Sequence, residues 1–207
     1  MDRLIYPFLI HIQEMKWLSK RISFNEQKKF STIIISPHNN TIVNILMGAW
    51  LGMWLCIGAT LIICLFILDL NQQEKIIIYV FLTFWSYYLY KVLSAFLWRI
   101  NGKELIKLDE IGMHLKKSVF GYGKSKVYYY DHMEAFTIKI IKKKTFEAVW
   151  ESSPWVKGMN SVYFNYKGKS IGLGRKIERE EAKLLIKIIS KKKSEHKFKE
   201  KQIVKNL

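Results

Sequence analysis

The fold is decided by two apolar stretches, ILMGAWLGMWLCIGATLIICLFIL at Ile45–Leu68 and IIIYVFLTFWSYYLYKVLSAFLW at Ile76–Trp98. The first contains no charged residue, and the second contains only Lys91. A helix needs about 20 such residues to cross a hydrocarbon core of about 30 Å, and only internal hydrogen bonds satisfy a backbone in lipid. Residues 42–98 are therefore predicted to form a hairpin of two transmembrane helices, with spans at 45–68 and 76–98 joined by Asp69–Lys75.

The distribution of positive charge predicts the orientation of this hairpin. Residues 1–41 carry six Lys and Arg, the connection Asp69–Lys75 carries one, and residues 99–207 carry 26 against 12 acidic residues. Because positive segments remain on the cytoplasmic side, both termini are expected in the cytoplasm. The first apolar stretch is too long, and starts too far along the chain, for a cleavable signal peptide. The expected location is the cytoplasmic (inner) membrane, with both spans retained.

Three residues inside the predicted spans are candidates for a specific role: Lys91, Gly48 and Gly52. A charge inside a span is costly and often functional, so Lys91 either extends to the headgroups, pairs with a partner subunit or lines an ion pathway. Gly48 and Gly52 form a small-xxx-small pair that lets two helix backbones approach, either within the hairpin or with a helix of another protein. Cys56 and Cys64 are interpreted as small packing residues.

Residues 1–41 are predicted to form a structured cytoplasmic arm. Its first half places apolar residues at helical spacing among basic ones, which indicates an amphipathic helix; the apolar residues are Leu4, Phe8, Ile12, Met15 and Leu18. That helix lies either on the membrane surface or on the cytoplasmic domain. Phe30–Ile35 is typical of a short strand, and Asn39, Asn40 and Thr41 supply a cap for the first span.

From residue 103 onward the apolar residues recur at strand spacing. Short runs bounded by turn residues predict seven antiparallel strands: Glu104–Leu108, Met113–Phe120, Lys126–Tyr130, Ala135–Lys142, Thr145–Trp150, Ser161–Tyr166 and Ser170–Leu173. One amphipathic helix follows, with a single apolar stripe formed by Ile177, Leu184, Leu185, Ile188 and Ile189. The predicted cytoplasmic domain covers residues 103–192. Residues 193–207 are predicted to be a basic tail, either a frayed helix or disordered.

Two segments of this region resemble the bacterial pleckstrin-homology-like (PH-like) membrane proteins, in which a two-helix transmembrane hairpin precedes the domain. Ile106–Leu115 is similar to their first hairpin, and Ser170–Gly174 with Glu180–Leu185 is similar to their last strand and final helix. The resemblance covers about residues 44–192. It implies a membrane α + β fold: a transmembrane helical hairpin, then a PH-like seven-stranded antiparallel β-sandwich or barrel capped by a C-terminal α-helix. It also implies an interaction platform, although a fold alone does not give a function.

No arrangement of residues predicts catalysis. The five His residues are dispersed without metal-ligand spacing, and Asp131-His132 is typical of a surface turn. Glu178, Glu180 and Glu181 are explained as first-turn acids of a helix, and Gly172-Leu173-Gly174 lacks the rest of a phosphate-binding loop. We therefore expect no enzymatic activity, with no catalytic residue, cofactor, metal or small-molecule substrate.

The net charge of +17 still has to be explained. Lys142, Lys143 and Lys144 are predicted to form a hairpin tip, and Lys191, Lys192 and Lys193 open the basic tail. Lys and Arg beside an anionic leaflet attract it, so these residues are expected to contact the membrane surface or an acidic protein partner. The loop of the first hairpin, Asp109–Gly112, is short and acidic. Because it would repel an anionic headgroup, we expect no phosphoinositide pocket there. No recognition motif favours nucleic acid.

These features together predict a non-enzymatic, membrane-anchored adaptor, accessory subunit or assembly factor of a larger cytoplasmic-membrane complex. Its expected partners are the lipid bilayer and either other integral membrane subunits or further copies of itself. A module that senses or handles lipid headgroups at the inner membrane face is the alternative.

Overall fold

The computed structural model describes residues 16–27, 30–37, 39–139 and 145–205. The chain divides into two compact units. One, the β-domain, falls within residues 1–38, 102–142 and 159–207; the other, the helical unit, falls within residues 39–101 and 143–158. The predicted basic tip Lys142–Lys144 and most of the predicted amphipathic arm lie outside the described residues.

The helical unit is built on two helices, α1 (Thr41–Ile67) and α2 (Gln72–Asn101). Both are long and apolar enough to cross a membrane, as the sequence predicts. The side chain of Asn40 caps α1 by accepting a hydrogen bond from the backbone N–H of Val43, at 3.3 Å. Asn71 and Glu74 cap α2 reciprocally, since each side chain accepts from the other's backbone N–H at 2.9–3.0 Å. The polar connection therefore ends one helix and starts the next.

A third, short helix, α3 (Phe146–Ser152), also belongs to the helical unit. The prediction of a strand at Thr145–Trp150 is therefore wrong. The Thr145 side chain accepts from the backbone N–H of Ala148 and caps the helix. Phe146, Val149 and Trp150 recur at helical spacing, a period that the assignment to a strand overlooked.

The β-domain contains nine strands in its described part, in two antiparallel sheets. The six-stranded sheet has the order β1-β2-β3-β4-β5-β6, formed by β1 (Lys16–Trp17), β2 (Ile22–Glu26), β3 (Ser31–Ile35), β4 (Gly102–Leu108), β5 (Gly112–Val119) and β6 (Ser125–Tyr129). The three-stranded sheet has the order β7-β8-β9, formed by β7 (Met133–Ile138), β8 (Asn160–Tyr166) and β9 (Lys169–Arg175). The chain thus makes an antiparallel β-domain, but three of its strands precede α1.

This order corrects the prediction of seven strands after the hairpin: six described strands follow α2, and three precede α1 and lie in the same sheet as β4, β5 and β6. The strand predicted at Phe30–Ile35 is present as β3, and it pairs with β4 with Ile33 opposite Ile106. Ile22, Ile33 and Ile106 are fully buried in one core. Because β2 and β3 supply part of this apolar face, both strands belong to the β-domain. The amphipathic helix predicted in the first half of the arm lies mostly outside the described residues, and its described part contains the strand β1 (Lys16–Trp17) instead of a helix.

The helix α4 (Arg179–Lys205) closes the β-domain. Its predicted stripe is buried at Leu185 and Ile189, which join the same core as Phe164. The helix continues well past residue 192 instead of fraying, because side chains on its second half find partners: His196 lies 3.4 Å from Asp131, and Lys199 lies 3.0 Å from Glu110.

Candidate functional site

One face of α2 exposes four residues at helical spacing, Phe84, Tyr87, Tyr88 and Lys91. The aromatic side chains are 63%, 55% and 54% exposed, and the Tyr87 and Tyr88 rings meet edge to face at 5.4 Å. The opposite side of α2 packs on α1 through Val92 and its neighbours. We refer to Phe84, Tyr87, Tyr88 and Lys91 as the Lys91 face. It combines a cation with three aromatic side chains in a helix that is otherwise apolar at this point.

The Lys91 side chain points toward the N-terminal end of α2. Its Nζ lies 5.4 Å from the centre of the Tyr87 ring, one helical turn earlier, as the tilt of helical side chains favours. At 1.5 Å per residue, Lys91 lies about 12 Å from Arg99 and about 24 Å from Lys75 along the helix. The ammonium group is therefore directed away from the nearer charged end, which opposes the interpretation that Lys91 extends to the headgroups.

The contact with Tyr87 offsets only part of the cost of this charge in lipid. A Lys near the centre of a spanning helix costs about 2.5–3.5 kcal/mol, whereas a cation–π contact contributes about 0.5–2 kcal/mol. Among the described residues, Lys91 has no carboxylate partner. The remaining cost, about 0.5–3 kcal/mol, would be offset by a carboxylate from another molecule.

The three glycines of α1 have different surroundings. A Cβ added at Gly48 would meet the Phe96 ring at 3.5 Å, an ordinary contact, and one added at Gly52 would meet nothing within 4 Å. A Cβ added at Gly58 would fall 2.1 Å from Trp85. The close approach between α1 and α2 thus occurs at Gly58, two turns beyond the predicted pair, and Gly52 faces open space.

The three basic residues predicted to open the tail are engaged differently. The Lys191 side chain is 70% exposed and lies 4.0 Å from Glu195. Lys192 is largely covered and lies 3.1 Å from Glu26 and 3.3 Å from Glu195, and Lys193 donates a hydrogen bond to the carbonyl oxygen of Met133. Two of the three cations are therefore used inside the β-domain, and Lys191 is the one that projects into solvent.

We expect Lys192, which is ion-paired within the β-domain, to contribute more to the free energy of unfolding than Lys191, which is exposed. Lys192→Gln removes two ion pairs of a side chain that is 23% exposed and should lower the stability of the β-domain by about 1 kcal/mol. Lys191→Gln is the matched control and should change it by less than about 0.5 kcal/mol. Denaturant-dependent hydrogen exchange of peptides from α4 measures both, and equal values would mean that the Lys192 pairs contribute nothing.

A buried charged cluster occupies one end of the β-domain. Glu104 is 1% exposed, and its two carboxylate oxygens accept hydrogen bonds from the backbone N–H groups of Gly174 (2.8 Å) and Arg175 (3.0 Å). Gly174 has φ = +69°, a conformation that favours glycine. The backbone of Gly174 and Arg175 therefore binds an anion, but the anion is the protein's own carboxylate.

Two cations complete this cluster. Lys117 Nζ donates to Asn160 Oδ1 and to the carbonyl oxygen of Gly172, both at 2.9 Å. Arg21 donates to the carbonyl oxygens of Ser36 and Arg175 at 3.0 Å and to that of Lys176. Burial lowers the pKa of Lys117 below its usual value, and the Glu104 carboxylate opposes that shift. The cluster joins the segment before β2 to β4, β5 and β9.

The sequence itself contains one signal for this cluster, in the strand β4. Glu104, Ile106 and Leu108 alternate along β4 and share its buried face. A carboxylate at an inward position of an amphipathic strand requires internal partners. Arg21, within the predicted arm, gives no such signal, because its partners are 154 and 155 residues away in the chain.

Each described His residue contacts one or two neighbouring side chains, and the ring of His196 also lies 5.4 Å from that of Tyr130. His114 lies 2.7 Å from Asp109, His196 lies 3.4 Å from Asp131, and the ring of His132 contacts that of Tyr166. Over the residues that were placed, no group of three or more His, Cys, Asp or Glu side chains is arranged to hold a metal ion. Cys56 and Cys64 are free thiols.

Comparison with protein-family models, curated proteins and solved structures finds no match to this chain. The resemblance to PH-like membrane proteins therefore stays a prediction. The geometry defines the class of the protein only as two helices able to cross a membrane, combined with an antiparallel β-domain.

Proposed function

We propose that this chain is a non-enzymatic, membrane-anchored adaptor, accessory subunit or assembly factor of a larger complex in the cytoplasmic membrane. In this proposal α1 and α2 cross the bilayer, both termini are cytoplasmic, and a PH-like β-domain serves as an interaction platform. The observation that carries the proposal is the Lys91 face, because an exposed cation within an apolar helix calls for a partner inside the membrane.

The chemistry of this face specifies the partner: a transmembrane helix of another protein with an Asp or Glu near its middle. A second copy of this chain does not supply that group. The helix α1 contains no acidic residue, and the acidic residue of α2, Glu74, lies about 25 Å from Lys91 along the helix. Phe84 and Tyr87 would cover the apolar part of such a contact, and the tyrosine hydroxyl groups would hydrogen-bond across it.

The β-domain has features of an interaction platform, which is the second part of the proposal. β6 is an edge strand of the described sheet, and edge strands accept a further strand from a partner. Val127 and Tyr129 on this strand are 39% and 48% exposed, and Tyr122 in the preceding turn is 85% exposed. Lipid-headgroup binding through Lys191–Lys193 has less support, because Lys192 and Lys193 have partners within the domain.

The test is purification from native membranes in mild detergent, comparing the wild-type chain with Lys91→Met. We expect the wild type to retain one or more integral membrane proteins in stoichiometric amount through a salt wash, because salt screens a buried pair weakly. Lys91→Met should reduce that recovery about tenfold, the loss expected for roughly 1.4 kcal/mol of interaction. Lys75→Met, at the start of α2, is the matched control and should leave recovery unchanged.

Three outcomes bear on the proposal. A retained protein that lacks an acidic residue in its membrane helices would contradict pairing with Lys91. Equal recovery of the co-purified protein with Lys91→Met and with the wild type would also contradict pairing with Lys91. A wild-type chain that emerges alone would remove the accessory-subunit function itself.

A further inference from the structure

The connection between β7 and β8 leaves the β-domain. Residues 143–158 belong to the helical unit, together with α1 and α2. The ring of Trp155 packs edge to face on that of Trp50 in α1, with the ring centres 4.9 Å apart, and Trp50 in turn stacks on Trp54 at 5.0 Å. A segment inserted between two strands of one sheet is therefore fastened to the surface of a helix that is able to cross a membrane.

The helix within this segment, α3, exposes its apolar side chains. Phe146, Val149 and Trp150 are 81%, 66% and 57% exposed, and their spacing places them on one face. The rings of Phe146 and Trp150 stack at 6.4 Å. Glu147 and Glu151 lie about 100–140° around the helix from Phe146. This is the pattern of a helix that lies in a membrane interface, with its acids toward water.

The position of the Trp50–Trp155 contact along α1 indicates that lipid covers the apolar face of α3. Trp50 is nine residues from the start of α1, which is about 14 Å. A helix of 27 residues is about 40 Å long, the thickness of a bilayer with its headgroups. With a hydrocarbon core of about 30 Å, the headgroups take up about 5 Å of this length at each end, so Trp155, which contacts Trp50, is held about 9 Å below the boundary between headgroups and acyl chains. That depth lies within the range of about 5–10 Å to which the apolar face of an interfacial helix is buried. Trp150, on the apolar face of α3, lies five residues before Trp155 in the chain.

We propose that α3 is a third membrane contact, which inserts Phe146, Val149 and Trp150 into the headgroup–acyl boundary of the leaflet where α1 begins. The inference rests on the proposed function only in requiring that α1 and α2 cross the bilayer. It assigns the β7–β8 connection to lipid instead of to a protein partner. The connection follows Ile138, the last residue of β7, and ends before Asn160, the first residue of β8. Both strands are paired within the β-domain.

The test uses the full chain in a Cys56→Ala, Cys64→Ala background, reconstituted without other proteins into phosphatidylcholine–phosphatidylglycerol vesicles. A single cysteine at position 146, 149 or 150 carries an environment-sensitive fluorophore, and position 147, the exposed acidic residue of the polar face, is the matched control. We expect lipids with a shallow nitroxide to quench the first three positions about threefold more than the control, and aqueous iodide to show the reverse. Since the three substituted side chains are exposed, labelling leaves the packing of the unit intact.

A second pair of labels separates the two ways in which the experiment can fail. Met53 and Ile63 are 63% and 54% exposed on α1, so labels at these positions report whether the hairpin is in lipid. Quenching there by a nitroxide deep in the acyl chains, with iodide-accessible labels at 146, 149 and 150, would overturn the assignment of α3 alone. Iodide quenching at positions 53 and 63 would overturn both this inference and the membrane anchor.

Discussion

Glu104→Gln is expected to lower the free energy of unfolding of the β-domain by about 3 kcal/mol, because breaking a buried charged cluster by removing one partner costs about 3–5 kcal/mol. Both carboxylate oxygens accept backbone N–H groups, from Gly174 and Arg175. An amide has one accepting oxygen, so its NH₂ group would face one of these donors. Lys117 and Arg21 would also lose the negative charge that now raises the pKa of each against the effect of burial.

The measurement is hydrogen exchange of peptides from β4 and β9 as a function of denaturant, with the full chain in detergent micelles. The matched control is Glu180→Gln. Glu180 is 78% exposed and pairs with Lys183 on the surface of α4, so its loss should cost less than about 0.5 kcal/mol. Similar values for the two variants would mean that the Glu104 carboxylate does not hold β4 to β9.

The pH dependence gives a second, independent readout of the same cluster. Burial holds the pKa of Lys117 below 10.5, and removal of Glu104 should lower it further. Between that lowered pKa and 10.5 the unfolded chain binds more protons than the folded chain, so stability rises with pH. The deficit of Glu104→Gln relative to wild type should therefore narrow as the pH rises from the lowered pKa of Lys117 in the variant to its pKa in the wild type, and stay constant above that. A deficit that stays constant with pH would assign the effect to the two backbone hydrogen bonds alone.

The sequence predicted those parts of the fold that depend on local patterns. The helices α1 and α2 follow from charge-free stretches of sufficient length, and the cap at Asn40 follows from residue type. The stripe through Leu185 and Ile189 follows from helical spacing. Each of these signals is contained within one element, so no knowledge of its partners is needed.

The parts that were not predicted depend on contacts between distant segments. That β3 would pair with β4 across the whole hairpin requires Ile33 to meet Ile106, 73 positions later, and no local pattern encodes this pairing. The same holds for Arg21, which donates to the carbonyl oxygens of Arg175 and Lys176 at the end of β9. The error at Thr145–Trp150 has a different origin: the alternation of a strand and the spacing of a helix compete in short apolar runs. Here the helical spacing of Phe146, Val149 and Trp150 and the cap at Thr145 both favour the helix. The PH-like resemblance and the candidate partner surfaces remain predictions.

Gly58→Ala is expected to destabilise the packing of α1 against α2 by about 2–3 kcal/mol. The added Cβ would lie 2.1 Å from Trp85 Cζ2, well inside any real contact, and overpacking of this kind costs about 1–3 kcal/mol. The Trp85 ring is not free to move aside, because its Nε1–H donates to the carbonyl oxygen of Trp54 at 2.9 Å. Displacing the ring therefore also breaks a hydrogen bond between the helices, worth about 0.6 kcal/mol in a membrane.

Gly52→Ala provides the control, because the same methyl group there would meet nothing within 4 Å. Alanine favours a helix over glycine, so this variant should be as stable as wild type or slightly more stable. Titration of micelles with dodecyl sulfate, followed by tryptophan fluorescence, compares the two midpoints of unfolding.

A third variant identifies the clash itself as the cause of the loss at Gly58. In a Trp85→Phe background the smaller ring leaves room for the methyl group, so Gly58→Ala should cost less than about 1 kcal/mol, and the double-mutant cycle should give a coupling of at least about 1 kcal/mol. Equal midpoints for Gly58→Ala and Gly52→Ala would place the helix contact elsewhere. A midpoint lowered equally in both backgrounds would attribute the loss to a contact other than the Trp85 ring, since only that ring is changed between them.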